Sequence, residues 1–374
     1  MRSLFFLFLL LLMLLELALV YFIMPMPGSQ RMNSLPLAYF LHQWRWVLRL
    51  VPAAAAGYFW LKFERKAHLS VWLGLSLYAA VCWFFNGPMS ASVMFKEPKV
   101  LRMERAAKNT VPGERLVLGV LVNGQAAAYP IQYVAYHHRV LDTLGGKNIW
   151  VTYCSVCRSG RVFEPVAQGK TDAFRLVGMD HFNAMFEDQS TGSWWRQVNG
   201  EAVAGPLKGQ FLPEIPCVQT SLSEWLRLHP HSKIMQPDPY AAKYYEHLKN
   251  YESGQGGSEL TRSDSNSWKD KSWVAGLRYK DHARAYDWNT LKKMQLINDT
   301  IAGQSIALVL SSKGKGLHAW ETQAAASLEG DSLNIDGIRY DLAGRGKTEN
   351  LKPVPVYQEF WHSWKQFQPG TSRY

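Results

Sequence analysis

A pair of cysteines is the feature of this sequence with the clearest chemical potential. VTYCSVCRSG places Cys154 and Cys157 three positions apart, and Arg158 and Arg161 follow them closely. Nearby guanidinium groups favour the thiolate form of a cysteine, which is both the nucleophile and the metal ligand. A C-x-x-C pair can be a redox couple, half of a metal site, a haem attachment or a structural disulfide. Haem attachment requires a histidine where Arg158 stands, so the other three remain open.

Three histidines could complete a metal site with the thiols. His137 and His138 are adjacent in the chain, and His181 lies further on. Together with Cys154 and Cys157 they form the predicted metal-ligand set, which suits copper or zinc better than magnesium or calcium. Adjacent residues of a strand point to opposite faces, so a strand would turn only one histidine of the pair toward a given ion.

A second group of residues is predicted to bind a ligand. TGSWWRQVNGEAVAGP contains Trp194 and Arg196, which with Arg158 could form an aromatic and cationic surface. The alternative is that alternate residues of this stretch pack into the core as a strand. No G-x-S-x-G, Walker, H-E-x-x-H or dinucleotide-binding pattern occurs, so no catalytic residue is predicted. Whether the protein is an enzyme stays open.

Strand-like segments surround the cysteines. KNIWVTYC before them and DAFRLVGM after them are rich in β-branched and aromatic residues, and Gly–Gly and Asn–Gly pairs predict turns nearby. A thioredoxin-type C-x-x-C would be expected in a strand–helix–strand context, so a pair between two strands argues against that fold. SLSEWLRLHP predicts a short helix with a serine N-cap and a proline stop.

The soluble part of the chain contains two similar segments. Leu118–Ser155 aligns with Ala275–Ser312 without a gap, and PCVQTSLSEWLRLHPHS aligns with PVYQEFWHSWKQFQPGT near the C-terminus. The matched residues include Gly119 and Gly276, Tyr129 and Tyr286, Asp142 and Asp299, Gln219 and Gln358, and Trp225 and Trp364. This pattern predicts a tandem duplication of one module, in which residues common to both copies serve the fold.

The thiols and the histidine pair occur in the first copy alone. The residues that replace the two cysteines and the two histidines in the second copy are, in that order, Ser311, Gly314, Met294 and Gln295. The stretch that contains His181 has no clear counterpart in the second copy. A residue found in only one copy is a better functional candidate than a residue found in both.

The first part of the chain predicts membrane-spanning helices. Leu4–Met24 is apolar except for Glu16, is long enough to cross a bilayer, and lacks the cleavage site of a secretory signal. Leu69–Phe85 is a second predicted span, and WRWVLRLVPAAAAGYFWL between them could either span or lie at the interface. Glu16 could pair with Arg49 inside a helix bundle, or it could be tolerated alone in a strongly apolar helix.

The orientation follows from the loops. The basic loop Lys62–His68 is expected in the cytoplasm by the positive-inside rule. Three spans then place everything after Phe85 outside, whereas two spans place it on the side of the N-terminus. The predicted location is the inner (cytoplasmic) membrane, with the C-terminal domain extracytoplasmic.

The charge of the chain indicates which classes of partner are expected. The formal net charge is +11 over 374 residues, but no dense basic tract occurs. This distribution is typical of solubility and of mild attraction to anionic lipid headgroups, and it does not favour nucleic-acid binding. The expected partners are the lipid bilayer and, as further candidates, other membrane subunits.

The predicted fold class is a β-rich α+β protein: N-terminal transmembrane helices followed by two tandem copies of one β-rich module. The predicted boundaries are a membrane domain of two to three helices over 1–90, a connector over 91–115, a first module with the C-x-x-C over 116–243, a polar linker over 244–270 and a second module over 271–374.

Several motifs, in order along the chain, resemble one family. AYPIQYVAYHHRVLDTLGGKNIWVTYCSVCRSGRVFEP, STGSWWRQVNGEAVAGP, SEWLRLHP and FWHSWKQFQPGT are similar to the domain of unknown function 3179 family, over Leu116–Tyr374. The family is uncharacterised, so the resemblance implies an exported or membrane-anchored prokaryotic protein and no activity. Its cysteine motif has proline after the first cysteine, where Ser155 stands here, which counts against a redox site that depends on that proline.

Three functions are consistent with these observations. The leading hypothesis is a membrane-anchored, extracytoplasmic binding protein with a Cys/His site for a soft metal. The alternatives are an extracytoplasmic thiol–disulfide oxidoreductase and an accessory or scaffold subunit in which the two cysteines form a structural disulfide.

Overall fold

The computed structural model describes residues 1–63, 68–311 and 315–374. The helices are α1 Arg2–Tyr21, α2 Leu35–Leu61, α3 His68–Asn86, α4 Ala91–Met94, α5 Ile131–His137, α6 Leu222–Leu228, α7 Ala242–His247, α8 Trp288–Met294 and α9 Trp361–Phe367.

The strands of the first half of the chain are β1 Met103–Arg105, β2 Leu116–Val122, β3 Gln125–Pro130, β4 Arg139–Leu144, β5 Lys147–Cys154, β6 Ser159–Phe163, β7 Val166–Ala167, β8 Lys170–Thr171, β9 Phe174–Asp180, β10 Asn183–Asp188, β11 Trp194–Arg196 and β12 Ala202–Ala204. The later strands are β13 Cys217–Ser221, β14 Lys233–Met235, β15 Trp273–Tyr279, β16 His282–Asp287, β17 Leu296–Ile301, β18 Gln304–Leu310, β19 Leu317–Thr322, β20 Ser327–Glu329, β21 Ser332–Ile335, β22 Ile338–Asp341, β23 Lys352–Pro353, β24 Val356–Phe360 and β25 Ser372–Arg373. The fold is therefore α+β with many strands, as predicted.

The chain divides into two compact units. Unit 1 comprises Met1–Lys96, Asp172–Arg196 and Glu201–Phe211, and unit 2 comprises Glu97–Thr171, Gln197–Gly200 and Leu212–Tyr374. These units do not coincide with the predicted boundaries, because two segments inside the predicted first module group with the N-terminal helices.

Two helices of unit 1 are long and apolar enough to cross a membrane. They are α1, over Arg2–Tyr21, and the part of α3 over Leu69–Asn86. Both predicted spans are thus helical, although length and composition of this kind also occur in signal sequences and in core helices. The stretch between them is the helix α2, which carries Pro52 in its interior. The basic loop used to predict orientation lies mostly outside the described residues.

A buried carboxylate joins the three long helices. The guanidinium of Arg49 on α2 donates to both carboxylate oxygens of Glu16 on α1, at 2.7 and 2.6 Å. The amide of Asn86 at the end of α3 donates to Glu16 Oε2 at 2.8 Å. Of the two alternatives for Glu16, the structure has the pair with Arg49, which satisfies a charge that would be costly alone in an apolar helix.

The remaining part of unit 1 is a four-stranded antiparallel sheet in the order β12-β11-β10-β9. Trp194 of β11 packs with Met185 and Val177 in a cluster that includes Phe22 and Tyr39 from the N-terminal segment. The Tyr39 ring meets the Trp194 indole edge-on at 5.0 Å. Apolar burial of this kind holds the sheet to the residues that follow α1 and begin α2.

Unit 2 consists of two halves, which we call the first half (97–171, 197–200 and 212–247) and the second half (271–374). The first half has a sheet in the order β1-β14-β3-β2-β13 and a sheet in the order β4-β5-β6. The second half has sheets in the orders β24-β15-β16-β25 and β17-β18-β19-β23, with a small sheet β20-β21-β22. One parallel strand pair occurs in each half. In the first half β14 pairs in parallel with β3, and in the second half β25 pairs in parallel with β16.

In each half a strand glycine lies under a tryptophan of a helix. Gly119 of β2 packs against the indole of Trp225 on α6, and Gly276 of β15 packs against the indole of Trp364 on α9. A Cβ atom at either glycine would overlap the ring. Helix and sheet therefore approach closely only because no side chain stands at these two positions.

Each half also contains the same tyrosine–aspartate hydrogen bond. Tyr129 donates to Asp142 Oδ2 at 2.7 Å, and Tyr286 donates to Asp299 Oδ2 at 2.7 Å. The other oxygen of each aspartate accepts from the N–H of the next residue at 2.7 Å. The aspartates thus bind local backbone and also anchor the preceding strand.

The segment between the halves is tied to the core. The predicted polar linker begins inside α7, and Tyr251 within it is buried. The Tyr251 hydroxyl donates to the carbonyl of Ser155 at 2.9 Å and lies 3.2 Å from the hydroxyl of Tyr153. This part of the linker therefore serves as a structural strap rather than as a free tether.

Candidate functional site

The two thiols lie on the tight turn that joins β5 to β6. Cys154 ends β5 and pairs with Ser159, the first residue of β6, and Cys157 lies inside the turn. Arg158 closes the turn with a left-handed backbone, at a φ of 56°. Both cysteines are free thiols, and both are 0% exposed. The predicted placement of the pair between two strands is confirmed.

The two thiols interact with each other. Burial raises the pKa of the Cys157 thiol well above its usual range, and a hydrogen bond with Cys154 raises it further. A hydrogen bond with Ser363 and the charge of Lys271 act in the opposite direction. Because burial dominates, Cys157 holds its proton at neutral pH.

Residues of the second half hold the turn from the other side. The N–H of Phe360 donates to the carbonyl of Cys157 at 2.9 Å. The Lys271 ammonium donates to the carbonyl of Val156 at 2.6 Å, and His362 Nε2 lies 3.0 Å from the same oxygen. The backbone of the C-x-x-C turn is thus fixed by groups more than 100 positions away in the chain.

Burial also shifts the two basic groups at the turn. It lowers the pKa of the Lys271 ammonium, although the neighbouring thiols act to raise it. Burial and the charge of Lys271 lower the pKa of His362 to about 4. His362 is therefore neutral at pH 7, so its Nε2–H can donate to the carbonyl of Val156.

A buried ion pair lies beside the thiols. The Arg161 guanidinium of β6 binds the carboxylate of Glu359 of β24, and both side chains are almost fully buried. Ser363 donates to the second oxygen of Glu359 at 2.9 Å, and the guanidinium stacks 3.6 Å from the ring of Tyr357. Burial raises the pKa of Glu359 despite Arg161. Burial alone would lower the pKa of Arg161, but the charges of Glu359, Tyr357 and Glu214 and the hydrogen bond to Glu359 together outweigh it and raise the pKa.

The halves meet at two places that correspond in the sequence alignment. β24 packs against β6, and β13 packs against β19. Between these contacts the side-chain amide of Gln219 donates to that of Gln358. Since these two glutamines align with each other, each half presents the same position to its neighbour. We call the β6–β24 contact the thiol junction and the β13–β19 contact the second junction.

The second junction has different side chains. Ser311 aligns with Cys154, and its hydroxyl accepts from the N–H of Gly316 at 2.9 Å. His318 aligns with Arg161, and its Nε2 lies 3.5 Å from Glu224 Oε1 of the first half. Burial raises the pKa of Glu224, but hydrogen bonds from His318 and Ser311 outweigh it and leave the pKa below its ordinary value. Gly314, which aligns with Cys157, lies outside the described residues.

The predicted histidine pair is in unit 2 but is not on a strand. His137 is the last residue of α5, and His138 follows it with a left-handed backbone at a φ of 60°. His137 Nε2 lies 2.6 Å from the hydroxyl of Tyr245, and His138 Nδ1 lies 2.9 Å from the carbonyl of Tyr153. Burial lowers the pKa of His138 to about 4, so it is a neutral core residue.

Arg158, a predicted ligand-binding residue, is fully buried in unit 2. Its guanidinium stacks 3.5 Å from the centre of the Trp273 ring and donates to the carbonyls of Tyr251 and Glu252 at 3.5 and 3.3 Å. Through these contacts Arg158 joins the cysteine turn to the strap around Tyr251 and to β15.

The other predicted site residues lie in unit 1. Asp180 joins His181 and Arg196: it accepts from Arg196 at 2.6 Å and lies 2.7 Å from His181 Nδ1. Arg196 also binds Glu201 at 3.0 Å. Trp194 is fully buried and donates to Glu187 at 2.9 Å. Its predicted alternative, packing in the core, is the one that the structure supports.

The structure groups these residues differently from the predicted ligand set. The cysteines, His137 and His138 belong to unit 2, and His181 belongs to unit 1. Over residues 1–63, 68–311 and 315–374, no group of three or more His, Cys, Asp and Glu side chains is arranged to hold a metal ion. The metal site therefore stays a prediction.

Sequence reasoning missed the residues of the second half that contact the turn: Lys271, Glu359, Phe360, His362 and Ser363. The second half lacks the cysteine pair, so none of its residues was among the predicted site residues. One signal could have revealed them: FWHSW carries a histidine and a serine where SLSEW of the first copy has Ser223 and Glu224.

Comparisons with known proteins identify a family and nothing beyond it. No curated protein and no solved structure matches the chain. The sequence profile of the family described as protein of unknown function (DUF3179) matches residues 95–371, which include both halves of unit 2 and the cysteine turn. This match covers well over half of the sequence and agrees with the resemblance found in its motifs, so the chain belongs to the DUF3179 family.

Proposed function

We propose that this protein is a membrane-anchored, extracytoplasmic protein whose Cys154–Cys157 pair is a redox-active dithiol for thiol–disulfide exchange. The observation that carries the proposal is the hydrogen-bonded pair of free thiols, with Lys271 and Ser363 beside Cys157. A nearby cationic group such as the Lys271 ammonium stabilises developing negative charge on sulfur, which is what exchange requires.

The reaction balances with a disulfide of a partner molecule as oxidant. The thiolate of one cysteine of the pair attacks one sulfur of that disulfide, breaks its S–S bond and forms a mixed disulfide. The other cysteine then attacks the sulfur of the first, and the second partner sulfur leaves. The dithiol loses two electrons and two protons, and the partner gains them as two thiols.

The burial of the pair implies a conformational step. Both thiols are 0% exposed, so a partner reaches them only after the turn and the second half move apart locally. The contacts that must open are few: the Phe360–Cys157 backbone bond and the bonds from Lys271 and His362 to Val156. These contacts would hold the thiols inaccessible between reactions.

A Cys/His site for a soft metal, the leading hypothesis from the sequence, is kept as the second candidate function because of His362. This imidazole lies at the carbonyl of Val156, a residue that stands between the two cysteines in the sequence. Its lowered pKa keeps His362 in the neutral form that binds metals. Copper or zinc would be the ions expected. The third hypothesis, an accessory subunit with a structural disulfide, predicts that reduction unfolds unit 2.

The membrane location is proposed from the helices of unit 1. Large apolar side chains such as Leu50, Leu69 and Trp83 are exposed along them, which suits contact with lipid and with other membrane subunits. We propose that the inner (cytoplasmic) membrane holds these helices and that unit 2 is extracytoplasmic. A reporter fused after Pro98 should be active only outside the cytoplasm.

We also propose that the two halves of unit 2 are tandem copies of one module. The matched Gly–Trp and Tyr–Asp contacts and the direct Gln219–Gln358 bond support this. Equivalent residues contact each other when two copies pack about an approximate two-fold axis.

The test of the dithiol uses the full chain in detergent. The protein is equilibrated in dithiothreitol buffers of stepped redox poise, alkylated, and analysed by mass spectrometry of its cysteine peptides. We expect one reversible two-electron transition that links Cys154 to Cys157 and is lost in Cys154→Ser and in Cys157→Ser. Cys217→Ser, which removes a thiol outside the pair, should leave the transition unchanged.

Three other results would favour other functions or none. A pair that never forms a reversible disulfide would refute the redox proposal. Copper or zinc retained by the natural protein and lost in both pair variants would favour the metal site. A disulfide whose reduction abolishes the circular dichroism of unit 2 would favour a structural role.

A further inference from the structure

A cleft of unit 2 lies next to the cysteine turn and carries excess positive charge. Its volume is about 550 Å³, and its walls include the indoles of Trp273 and Trp288. The basic side chains that line it are Arg115, Lys249, Lys292 and Lys315. Only two carboxylates, Glu114 and Glu252, line the same cleft, so it favours an anionic ligand.

Glu252 in this cleft has an unsatisfied oxygen. The side chain is 10% exposed, and its Oε2 accepts from the N–H of Leu116 at 3.1 Å. Its Oε1 is buried and, among residues 1–63, 68–311 and 315–374, has no hydrogen-bond partner. A buried polar atom without a partner is uncommon in proteins, and an ionised carboxylate is costly to keep in this state.

The electrostatics of Glu252 suit an anion. Burial raises the pKa of the Glu252 carboxyl, although Arg115 and Arg158 oppose the shift. A protonated carboxyl carries no charge, so this shift reduces the negative charge of the cleft. The basic groups around it would neutralise the charge of a carboxylate of the ligand.

Two walls of the cleft are connected to the thiols through Arg158. Its guanidinium stacks on Trp273 at 3.5 Å and donates to the carbonyl of Glu252 at 3.3 Å. Arg158 directly follows Cys157 in the turn. Tyr251, which precedes Glu252, donates to the carbonyl of Ser155 in the same turn at 2.9 Å. A molecule in the cleft is therefore in contact with residues that hold the turn.

We infer that this cleft binds the disulfide partner of the Cys154–Cys157 dithiol, and that this partner carries carboxylate groups. The inference rests on the proposed thiol–disulfide exchange. The lysines and Arg115 would bind the carboxylates, and the two indoles would pack against the apolar part next to the S–S bond. The bound disulfide takes up two electrons and two protons from the dithiol and leaves as two thiols.

The test compares three small disulfides that differ in charge: dithiodipropionate, a dianion; hydroxyethyl disulfide, which is neutral; and cystamine, a dication. Binding is measured by tryptophan fluorescence on a Cys154→Ser/Cys157→Ser variant, in which no exchange can occur. Dithiodipropionate should bind on the order of tenfold more tightly than hydroxyethyl disulfide, and cystamine more weakly than either.

Two matched variants separate the cleft from the overall charge of the protein. Lys292→Glu should weaken dithiodipropionate on the order of tenfold and leave hydroxyethyl disulfide unchanged. Lys347→Glu makes the same charge change at an exposed position that does not line the cleft, and it should have little effect. Equal binding of the anionic and neutral disulfides, or equal effects of the two variants, would overturn the inference.

A second measurement separates this inference from the proposed function. The rate at which each disulfide oxidises the natural dithiol is followed by alkylation. Oxidation at equal rates by the anionic and neutral disulfides would leave the dithiol function intact and refute the cleft. Tight binding of dithiodipropionate without oxidation by any of the three would refute the dithiol function instead.

Discussion

The thiol junction and the second junction use aligned positions for different chemistry. At the thiol junction, Arg161 of the first half binds Glu359 of the second, next to two thiols. At the second junction, His318 of the second half lies 3.5 Å from Glu224 of the first. The backbone arrangement is alike, but the Cys154–Cys157 pair and the Arg161–Glu359 ion pair occur at the thiol junction only.

This difference separates what the fold requires from what the site requires. The Gly–Trp and Tyr–Asp contacts occur in both halves, so each half needs them in order to pack. Ser311 takes the place of Cys154 without any loss of the surrounding strands. The thiols are therefore not a packing requirement of this strand pair, which favours a functional role for them.

The largest effect is expected from breaking the ion pair of the thiol junction. Arg161→Met leaves the Glu359 carboxylate buried without its partner, at a cost of about 3–5 kcal/mol in the free energy of unfolding. His318→Leu should cost less, because its contact with Glu224 is long and Ser311 also binds that carboxylate. Urea unfolding of the full chain in detergent measures both.

A double variant is the control for this prediction. Arg161→Met with Glu359→Leu removes both charges and should recover most of the lost stability. If His318→Leu cost as much as Arg161→Met, the two junctions would be energetically equal and the comparison would fail.

The next effect concerns the shared scaffold. Gly119→Ala and Gly276→Ala each place a methyl group where a tryptophan ring lies, and each should cost about 2–3 kcal/mol. The two losses should agree closely, because the packing is the same. Gly257→Ala, at a position whose nearest atom would be 4.0 Å away, should change stability by less than about 0.5 kcal/mol. A large difference between the first two variants would mean that only one half depends on this contact.

A smaller effect should distinguish the two tyrosines. Tyr129→Phe removes the only side chain that donates to Asp142 in the described structure, at a cost of about 1.5–2 kcal/mol. Tyr286→Phe should cost less, because Arg284 still donates to both oxygens of Asp299, at 2.7 and 2.6 Å. Thermal unfolding of the two variants measures the two losses of stability. A larger loss for Tyr286→Phe than for Tyr129→Phe would contradict the compensating role of Arg284.

The smallest effect is a difference in pH dependence. The pKa of Glu224 lies below its ordinary value of 4.5, so its contribution to stability is present above that pH and is lost as the pH falls through the lowered value. The pKa of Glu359 is raised, so its ionisation weakens the folded state as the pH rises from 4.5 to the raised value.

The two carboxylates should therefore change the acid limb of the stability curve in opposite directions. Between pH 7 and pH 4, Glu224→Gln should flatten the loss of stability on acidification, and Glu359→Gln should steepen it. Unfolding midpoints across this range measure the slopes. If both variants changed the slope of stability against pH in the same direction, the opposite pKa shifts of Glu224 and Glu359 would be contradicted.

Local patterns were sufficient to predict several parts of the molecule. Hydropathy predicted α1 and α3, and the need to satisfy a charge in an apolar helix predicted the Glu16–Arg49 pair. The serine of SLSEW was predicted to cap a helix, and Ser221 accepts from the N–H of Glu224 at the start of α6. Capping and hydropathy depend on residues that are close in sequence, which is why they can be read from it.

Other features depended on packing between distant segments. The strands β9–β12 join the N-terminal helices because Trp194 and its neighbours bury apolar area there, and no local pattern specifies that partner. The sequence did not show that the histidine pair lies at the end of a short helix, because seven residues are too few to show helical periodicity clearly.

The candidate site depended most on the tertiary structure. The sequence established two thiols on a turn between strands, since spacing and β propensity are local properties. It could not show that Lys271, His362 and Ser363 from the other half lie at that turn, or that Arg158 connects it to the cleft around Glu252. Contacts between residues this far apart arise only when the two halves pack together, and they depend on the full set of buried surfaces rather than on any one segment.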